Sequence, residues 1–315
     1  MMRACNTALC LTAAMLAALL LGGCEGRELC YDHSHKLPVS IRFDWTDVPE
    51  AQPETMVVWF FPVDGSQGLR FELTGDGNTS RTSFDAEVRV PAGTYRMVCH
   101  NGSTEFNVER GSNIDDYFVV TYDVPVLSSM NRTDDAPLPG DDTEMPVRSQ
   151  ASTFYAHTLD SDFTVAADGK TQHTVLFRPS RASVLCEVSV TNVRNLTSDI
   201  TLSAVLTGAS EGWHAGTAAP AETCVAVPFP LQQSGPDSLH GTVELFGLSG
   251  VHKLRIYTSN KYYYDYNVTD QIDGQKGLHY IHVDVSGIKL PDSPSSGLSP
   301  GVSDWGDMIE ESVKM

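Results

Sequence analysis

The sequence predicts an all-β protein built as two β-sandwich modules in tandem. Three observations carry that reading. Apolar residues recur at every second position in segment after segment, which is the period of a strand with one buried face. The segments follow one another across Gly, Pro, Asn and Asp turns with no stretch of helical period between them, which favours antiparallel sandwiches over a parallel sheet with helices. Finally, 41% of residues are hydrophobic and only 19% charged, and the polar remainder is rich in Ser, Thr, Asn, Gly and Pro. That composition suits strands and turns and suffices for packed cores. A length of 315 residues fits two domains better than one.

The chain opens on a leader. Met1 to Ala8 carries one positive charge, Arg3, and no acid, and Leu9 to Leu21 is an apolar run broken only by Thr12. The run is too short for a permanent membrane helix and has the length of a signal-peptide core. Leu21-Gly22-Gly23-Cys24 follows and resembles the bacterial lipobox, in which small residues let a peptidase reach the backbone before a cysteine that is acylated on sulfur and at its new amino terminus. The resemblance implies that residues 1–23 are a signal peptide and that Cys24 is the lipidated, palmitate-labelled first residue of a segment 24–37.

The first module is expected over residues 38–125. Val39, Ile41, Phe43 and Trp45 alternate with Ser40, Arg42 and Asp44 as a half-buried strand. Met56 to Phe61 is an unbroken apolar run ended by Pro62, the pattern of a strand covered on both faces. Leu69, Phe71 and Leu73 alternate with Arg70 and Glu72 up to the turn residues Gly75-Asp76-Gly77-Asn78. Ala86, Val88 and Val90 lead into Pro91-Ala92-Gly93-Thr94 and return as Tyr95, Met97 and Cys99, and Tyr117 to Tyr122 supplies a last strand. Residues 126–171 are proline-bearing, acidic and weakly periodic, so they read as a linker with one short strand at Phe154 to His157. The second module, 172–290, holds seven candidate strands: His173–Phe177, Ala182–Val193, Ile200–Leu206, Thr242–Phe246, His252–Thr258, Lys261–Val268 and Leu278–Val285. Ser259-Asn260 reads as a tight hairpin between two of these, and residues 291–315 form a Ser/Pro/Gly-rich C-terminal tail.

Charge excludes one class of function. With 21 basic and 40 acidic residues the chain carries −19, the wrong sign for nucleic acid, whose phosphates need a positive face. Outside the leader and Cys24 there are four cysteines, Cys30, Cys99, Cys186 and Cys224, with no CxxC spacing for zinc. They allow three pairings; one bridge per module, Cys30 with Cys99 and Cys186 with Cys224, competes with buried free thiols at Cys99 and Cys186.

Other chemistry is thinly represented. Gly208-Ala209-Ser210-Glu211-Gly212 matches the GxSxG pattern of a nucleophile elbow, but the helix that must follow the serine is replaced by small residues and Pro220, so no catalysis is assigned to Ser210. His33 and His35 would share a strand face beside Asp32, whereas His279 and His282 would point oppositely and complete no site, so no metal or cofactor is expected. Asp134-Asp135 and Asp141-Asp142 lack calcium-loop spacing and read as solvated linker. Tyr262, Tyr264 and Tyr266 fall on one strand face, either as a binding surface that could stack sugars or a partner, or as an aromatic ladder within the sheet.

Several motifs converge on a family. Glu28-Leu29-Cys30-Tyr31-Asp32-His33 after the lipobox, Phe43-Asp44-Trp45, Val90-Pro91-Ala92-Gly93-Thr94-Tyr95, Asn267-Val268-Thr269-Asp270-Gln271-Ile272 and a closing Asp304-Trp305 together resemble a family of Bacteroides-type lipoproteins. That family is similar to the fimbrillin-associated anchor proteins of Bacteroidales. The resemblance implies transthyretin-like Greek-key sandwiches, a lipid tether to the outer membrane through Cys24 with the protein exposed at the cell surface, and non-enzymatic contacts with fimbrial subunits, by strand exchange at an open sheet edge. A surface glycan-binding lipoprotein using the Tyr262, Tyr264 and Tyr266 face is the alternative.

Overall fold

The computed structural model describes residues 36–290 apart from 76–83, 103, 139–144, 169, 199 and 260, and from Leu37 onward the described residues form four β-sheets. In the first, β1 (Leu37–Phe43) lies between β4 (Ala86–Val90), antiparallel to it, and β10 (His173–Phe177), parallel to it. The second runs β11 (Ser180–Arg181), β8 (Tyr155–Thr158), β5 (Gly93–Gly102), β2 (Thr55–Pro62), β3 (Leu69–Thr74), with β9 (Phe163–Val165) also paired to β5. The third runs β15 (Ala219–Pro220), β14 (Gly212–His214), β7 (Phe118–Val120), β6 (Val108–Arg110). The fourth has seven strands in the order β19 (Tyr263–Asn267), β18 (Lys253–Thr258), β13 (Leu202–Ser210), β16 (Cys224–Gly235), β17 (Ser238–Leu245), β12 (Val184–Thr191), β20 (Tyr280–Ser286). A short helix, α1 (Thr269–Asp273), joins β19 to the approach of β20.

Strand β2 shows why its sequence reads as a solid apolar run. Met56, Val58 and Phe60 point into a core shared with Val39 and Ile41 of β1, Val88 and Val90 of β4, and Val175 and Phe177 of β10. Val57, Trp59 and Phe61 point the other way, into a core with Tyr117, Val119, Phe154 and Trp213. The second sheet is therefore covered on both faces, by the first sheet and by the third. Each of these side chains contributes about 1.5–3 kcal/mol by leaving water.

The chain is more interleaved than two modules and a linker. Residues 155–158 and 163–165 of the expected linker are β8 and β9, hydrogen-bonded to β5. His173–Phe177, expected in the second module, completes the first sheet beside β1. Gly212–His214 pairs with β7 across to the early half of the chain. Periodicity identifies strands but carries no information about which sheet each joins, and the parallel pairs β1–β10 and β12–β20 need long crossovers that local pattern does not show.

Of the rest of the expected linker, the described residues from Val126 to Leu138, with Met145 and Val147, pack on the second sandwich. Leu127 and Met130 cover Val205, Ala226 and Tyr257, which buries the outer face of β13 as well as its inner one. Arg255, almost wholly buried, pins this segment: Nη1 donates to Pro137 O at 2.8 Å and to Leu138 O at 2.5 Å, and Nε to Asp265 Oδ1 at 3.0 Å. Strand β16 bends between two partners, pairing with β13 through Leu231 and with β17 from Gln232. Its Pro228 and Pro230 share the two-residue phase of Ala226, whose N–H donates away from β13 to Pro146 O at 2.9 Å. The missing proline N–H groups thus fall on the side the β13 ladder does not use.

Between the second and third sheets a buried polar chain runs from Trp59 to His100. Trp59 Nε1–H donates to Tyr117 Oη at 2.9 Å, and Tyr117 Oη lies 2.7 Å from His100 Nε2. His100 Nδ1 faces Asn101 O at 2.9 Å; a carbonyl can only accept, so the proton sits on Nδ1 and Nε2 accepts from the tyrosine. Burial pushes the His100 pKa down from its ordinary 6.5, and burial does the same to His252. With the folded pKa below the unfolded one, the unfolded chain takes up protons first, so stability is full above about pH 6.5 and declines as the pH falls from there toward the folded values. Thermal melts are expected to show a lower Tm at pH 5.5 than at pH 7.5, with a shallower dependence in His100→Gln; an unchanged Tm would contradict the neutral, buried imidazole.

Candidate functional site

The residues singled out from sequence are mostly consumed by the fold. Tyr264 and Tyr266 are buried in the core of the second sandwich, paired across β18–β19 with Ile256 and Leu254, and Tyr264 O–H donates to Lys289 O. Tyr262 is only partly exposed. Tyr264 and Tyr266 thus pack inside the sandwich as part of the sheet, and of the three tyrosines only Tyr262 keeps part of its ring at the surface. Period-two alternation marks a face but does not tell core from surface when aromatic residues carry hydroxyl tips.

Cys99 and Cys186 are buried free thiols, in the first and second cores respectively, and Cys224 is a half-buried free thiol whose Sγ lies 3.3 Å from Ser249 Oγ. The Cys186–Cys224 bridge is therefore absent. Desolvation raises the Cys186 thiol to about 12, so it stays protonated and inert. Cys24 and Cys30, and with them His33 and His35, lie outside the described residues, as do the expected signal peptide and tail.

The GxSxG segment has a packing explanation. Gly208 sits at φ +77° where β13 slips register between Leu206 and Ala209, and a Cβ there would collide with His252 Nδ1. A Cβ on Gly212 would lie 2.5 Å from Val119 O, so that glycine permits β14 to approach β7. Ser210 Oγ is buried between Ala221 O at 2.7 Å and Gly212 O at 2.8 Å. Its hydroxyl serves a strand corner.

The second sheet is joined to the fourth at a buried cluster that sequence reasoning missed. Arg181, which ends β11, sends Nη2 to both oxygens of Glu244 on β17, at 2.6 and 2.9 Å, and Nη1 to Tyr280 Oη at 3.0 Å. Its guanidinium also lies 4.7 Å from the centre of the Tyr280 ring. Ser183 Oγ donates to the same carboxylate and accepts the Phe154 N–H at 2.9 Å. The Arg181 and Glu244 side chains are 8% and 9% exposed, so each charge depends on the other.

With polar chemistry spent inside, what the described surface offers a partner is strand edge. The first sheet ends at β10 and β4, and no described strand pairs with their outer edges. On β10, His173, Val175 and Phe177 face the core while Thr174 and Leu176 face outward, Leu176 being 45% exposed. The outer edge of β20, by contrast, is already occupied: its main-chain groups at His282 and Asp284 are bonded to the side chains of Gln275 and Gln271. A cleft of about 360 Å³ beside Pro62, Val63, Pro91 and Thr94 holds one carboxylate, Asp64, whose pKa is lowered by the Ser66 N–H it accepts at 2.9 Å. No described helix is long and apolar enough to cross a membrane.

Fold and surface together define an all-β protein of stacked sheets that presents strand edges. The chain belongs to the family described as a domain of unknown function, DUF5119, whose model matches residues 23–230. No curated protein sequence matches it. Among solved structures it is similar to a candidate adhesin from Bacteroides ovatus, with a TM-score of 0.61 at 15% identity over 87% of this chain and 98% of the other. It is also similar to a candidate polysaccharide-binding protein from Bacteroides thetaiotaomicron, with a TM-score of 0.52 at 12% identity over 80% and 91%. The fimbrial anchor protein Mfa2 from Porphyromonas gingivalis matches with a TM-score of 0.50 at 12% identity over 80% and 90%. At these identities the structural likeness shows a shared fold alone.

Removing one partner of the junction pair leaves the other buried and uncompensated, which costs about 3–5 kcal/mol. Glu244→Ala is expected to lose that much in denaturant titrations, while Arg181→Met with Glu244→Leu recovers most of it. A single substitution costing under about 1 kcal/mol would mean that the pair is solvated and does not lock the junction.

Proposed function

We propose that this chain is a lipid-tethered envelope protein of the fimbria-associated adhesion class, joined to the outer membrane through Cys24 and acting by protein contacts without catalysis. The observation that carries this reading is the open edge of β10, in the sheet that begins at Leu37, thirteen residues after Cys24. Thirteen residues of chain reach at most about 45 Å, which bounds how far Leu37 can lie from a bilayer that holds Cys24. An open edge offers unpaired N–H and C=O groups that an extended segment of a fimbrial subunit satisfies, while Leu176 and Thr174 supply side-chain contacts beside it. The shared fold with an anchor protein and a candidate adhesin supports the same class.

Labelled palmitate is expected to enter the wild-type protein and not Cys24→Ala, and capture of fimbrial subunits from envelope extracts is expected to fall at least about tenfold in Leu176→Glu. Labelling of the cysteine variant would contradict the tether. Undiminished capture by the β10 variant would contradict the edge.

A further inference from the structure

The outer edge of β20 is closed by side chains that imitate a strand. Gln271 Nε2 donates to Asp284 O at 2.9 Å while its Oε1 accepts the Asp284 N–H at 2.9 Å. Gln275 does the same to His282, donating to its carbonyl at 2.7 Å and accepting its N–H at 2.9 Å. A glutamine amide carries one carbonyl and an N–H donor pair, the same groups a peptide presents. The spacing also agrees: from Gln271 in α1 to Gln275 in the turn that continues it, four residues at helical rise advance about 6 Å, and two residues of strand about 6.6 Å, so side chains four apart meet backbone groups two apart. Between the glutamines, Ile272 is buried in the core of the second sandwich and fixes α1 against the sheet, and Gln275 Nε2 is further steadied by Gln271 O at 3.0 Å.

We infer that Gln271 and Gln275 guard a pairing surface, and that the strand they exclude is β20 of a second copy of this chain. The hydrogen-bonding phase and the charges of β20 both point to itself as the occupant. Laid antiparallel on a second β20 about Val283, His282 of each copy comes opposite Asp284 of the other. These are the two residues whose main-chain groups face outward, so the four bonds that each copy makes to its own glutamines give way to four shared between the copies, and every outward N–H and C=O stays paired. On the exposed face the pairing sets imidazole against carboxylate twice, the same partnership His282 Nε2 and Asp284 Oδ1 make within one chain at 2.9 Å. On the other face Ile281, Val283 and Val285 continue the apolar row of one sandwich into the next. A strand edge with this degree of self-complementarity joins copies wherever it is left bare, and the guard keeps it covered.

The test uses the purified full chain, with amide hydrogen exchange and sedimentation equilibrium as readouts. In the wild type the His282 and Asp284 amides are expected to be protected and the protein monomeric. In Gln271→Ala with Gln275→Ala both amides exchange at least about tenfold faster in dilute solution, and the chain dimerises as its concentration rises. Adding Asp284→Lys, which sets a lysine opposite His282, returns it to monomer. The single variants serve if the double one folds poorly, Gln275→Ala releasing His282 alone and Gln271→Ala releasing Asp284 alone. Unchanged protection overturns the guard. A fast-exchanging variant that stays monomeric, or a dimer indifferent to Asp284→Lys, overturns the pairing surface.

Discussion

The pairing of β14 with β7 is the constraint on which the rest of the architecture depends. It brings Trp213 from the late half of the chain over the outer face of β2, where Trp59 and Phe61 would otherwise meet water, and Phe154 packs against Trp213 and Phe246 with ring centres 5.5 and 5.3 Å apart. The approach is close enough that residue 212 must lack a Cβ. Once this contact is made, the two halves share a third core that neither completes alone, beside the core that each builds from its own residues. Arg181 and Glu244 then tie the second sheet to the fourth at another point.

That economy of contact explains where the polar chemistry goes. Arg255 and Asp265 hold the proline-bearing segment 136–138 to the second sandwich, His100 and Tyr117 join the second and third sheets, and Ser210 ties a strand corner. Each group is committed to backbone or to another buried side chain. At the margins of the sheets, β10 has no described strand on its outer edge while β20 is covered by glutamine.

Much of the fold was legible from residue pattern. The double-sided burial of Met56 to Phe61 and the strand at His173–Phe177 follow directly from their apolar spacing. Strand β16 escaped because Pro228 and Pro230 argue against a strand unless one knows that their missing donors face away from the ladder. Short strands such as β14 and β15 hold too few residues to show a period. The candidate site was harder to read. Tyr264 and Tyr266 have the alternation of a surface but lie in the core. The glutamines of Asn267–Gln275 matter through amides that meet a strand elsewhere in the chain, which no local pattern records.

The most direct test of the account is calorimetric unfolding of the full chain. If the two halves share one core across β7 and β14, heating gives a single transition whose calorimetric and van't Hoff enthalpies agree. Two separable transitions, each with the enthalpy of one sandwich, would show that the halves are independent modules and would contradict the shared core.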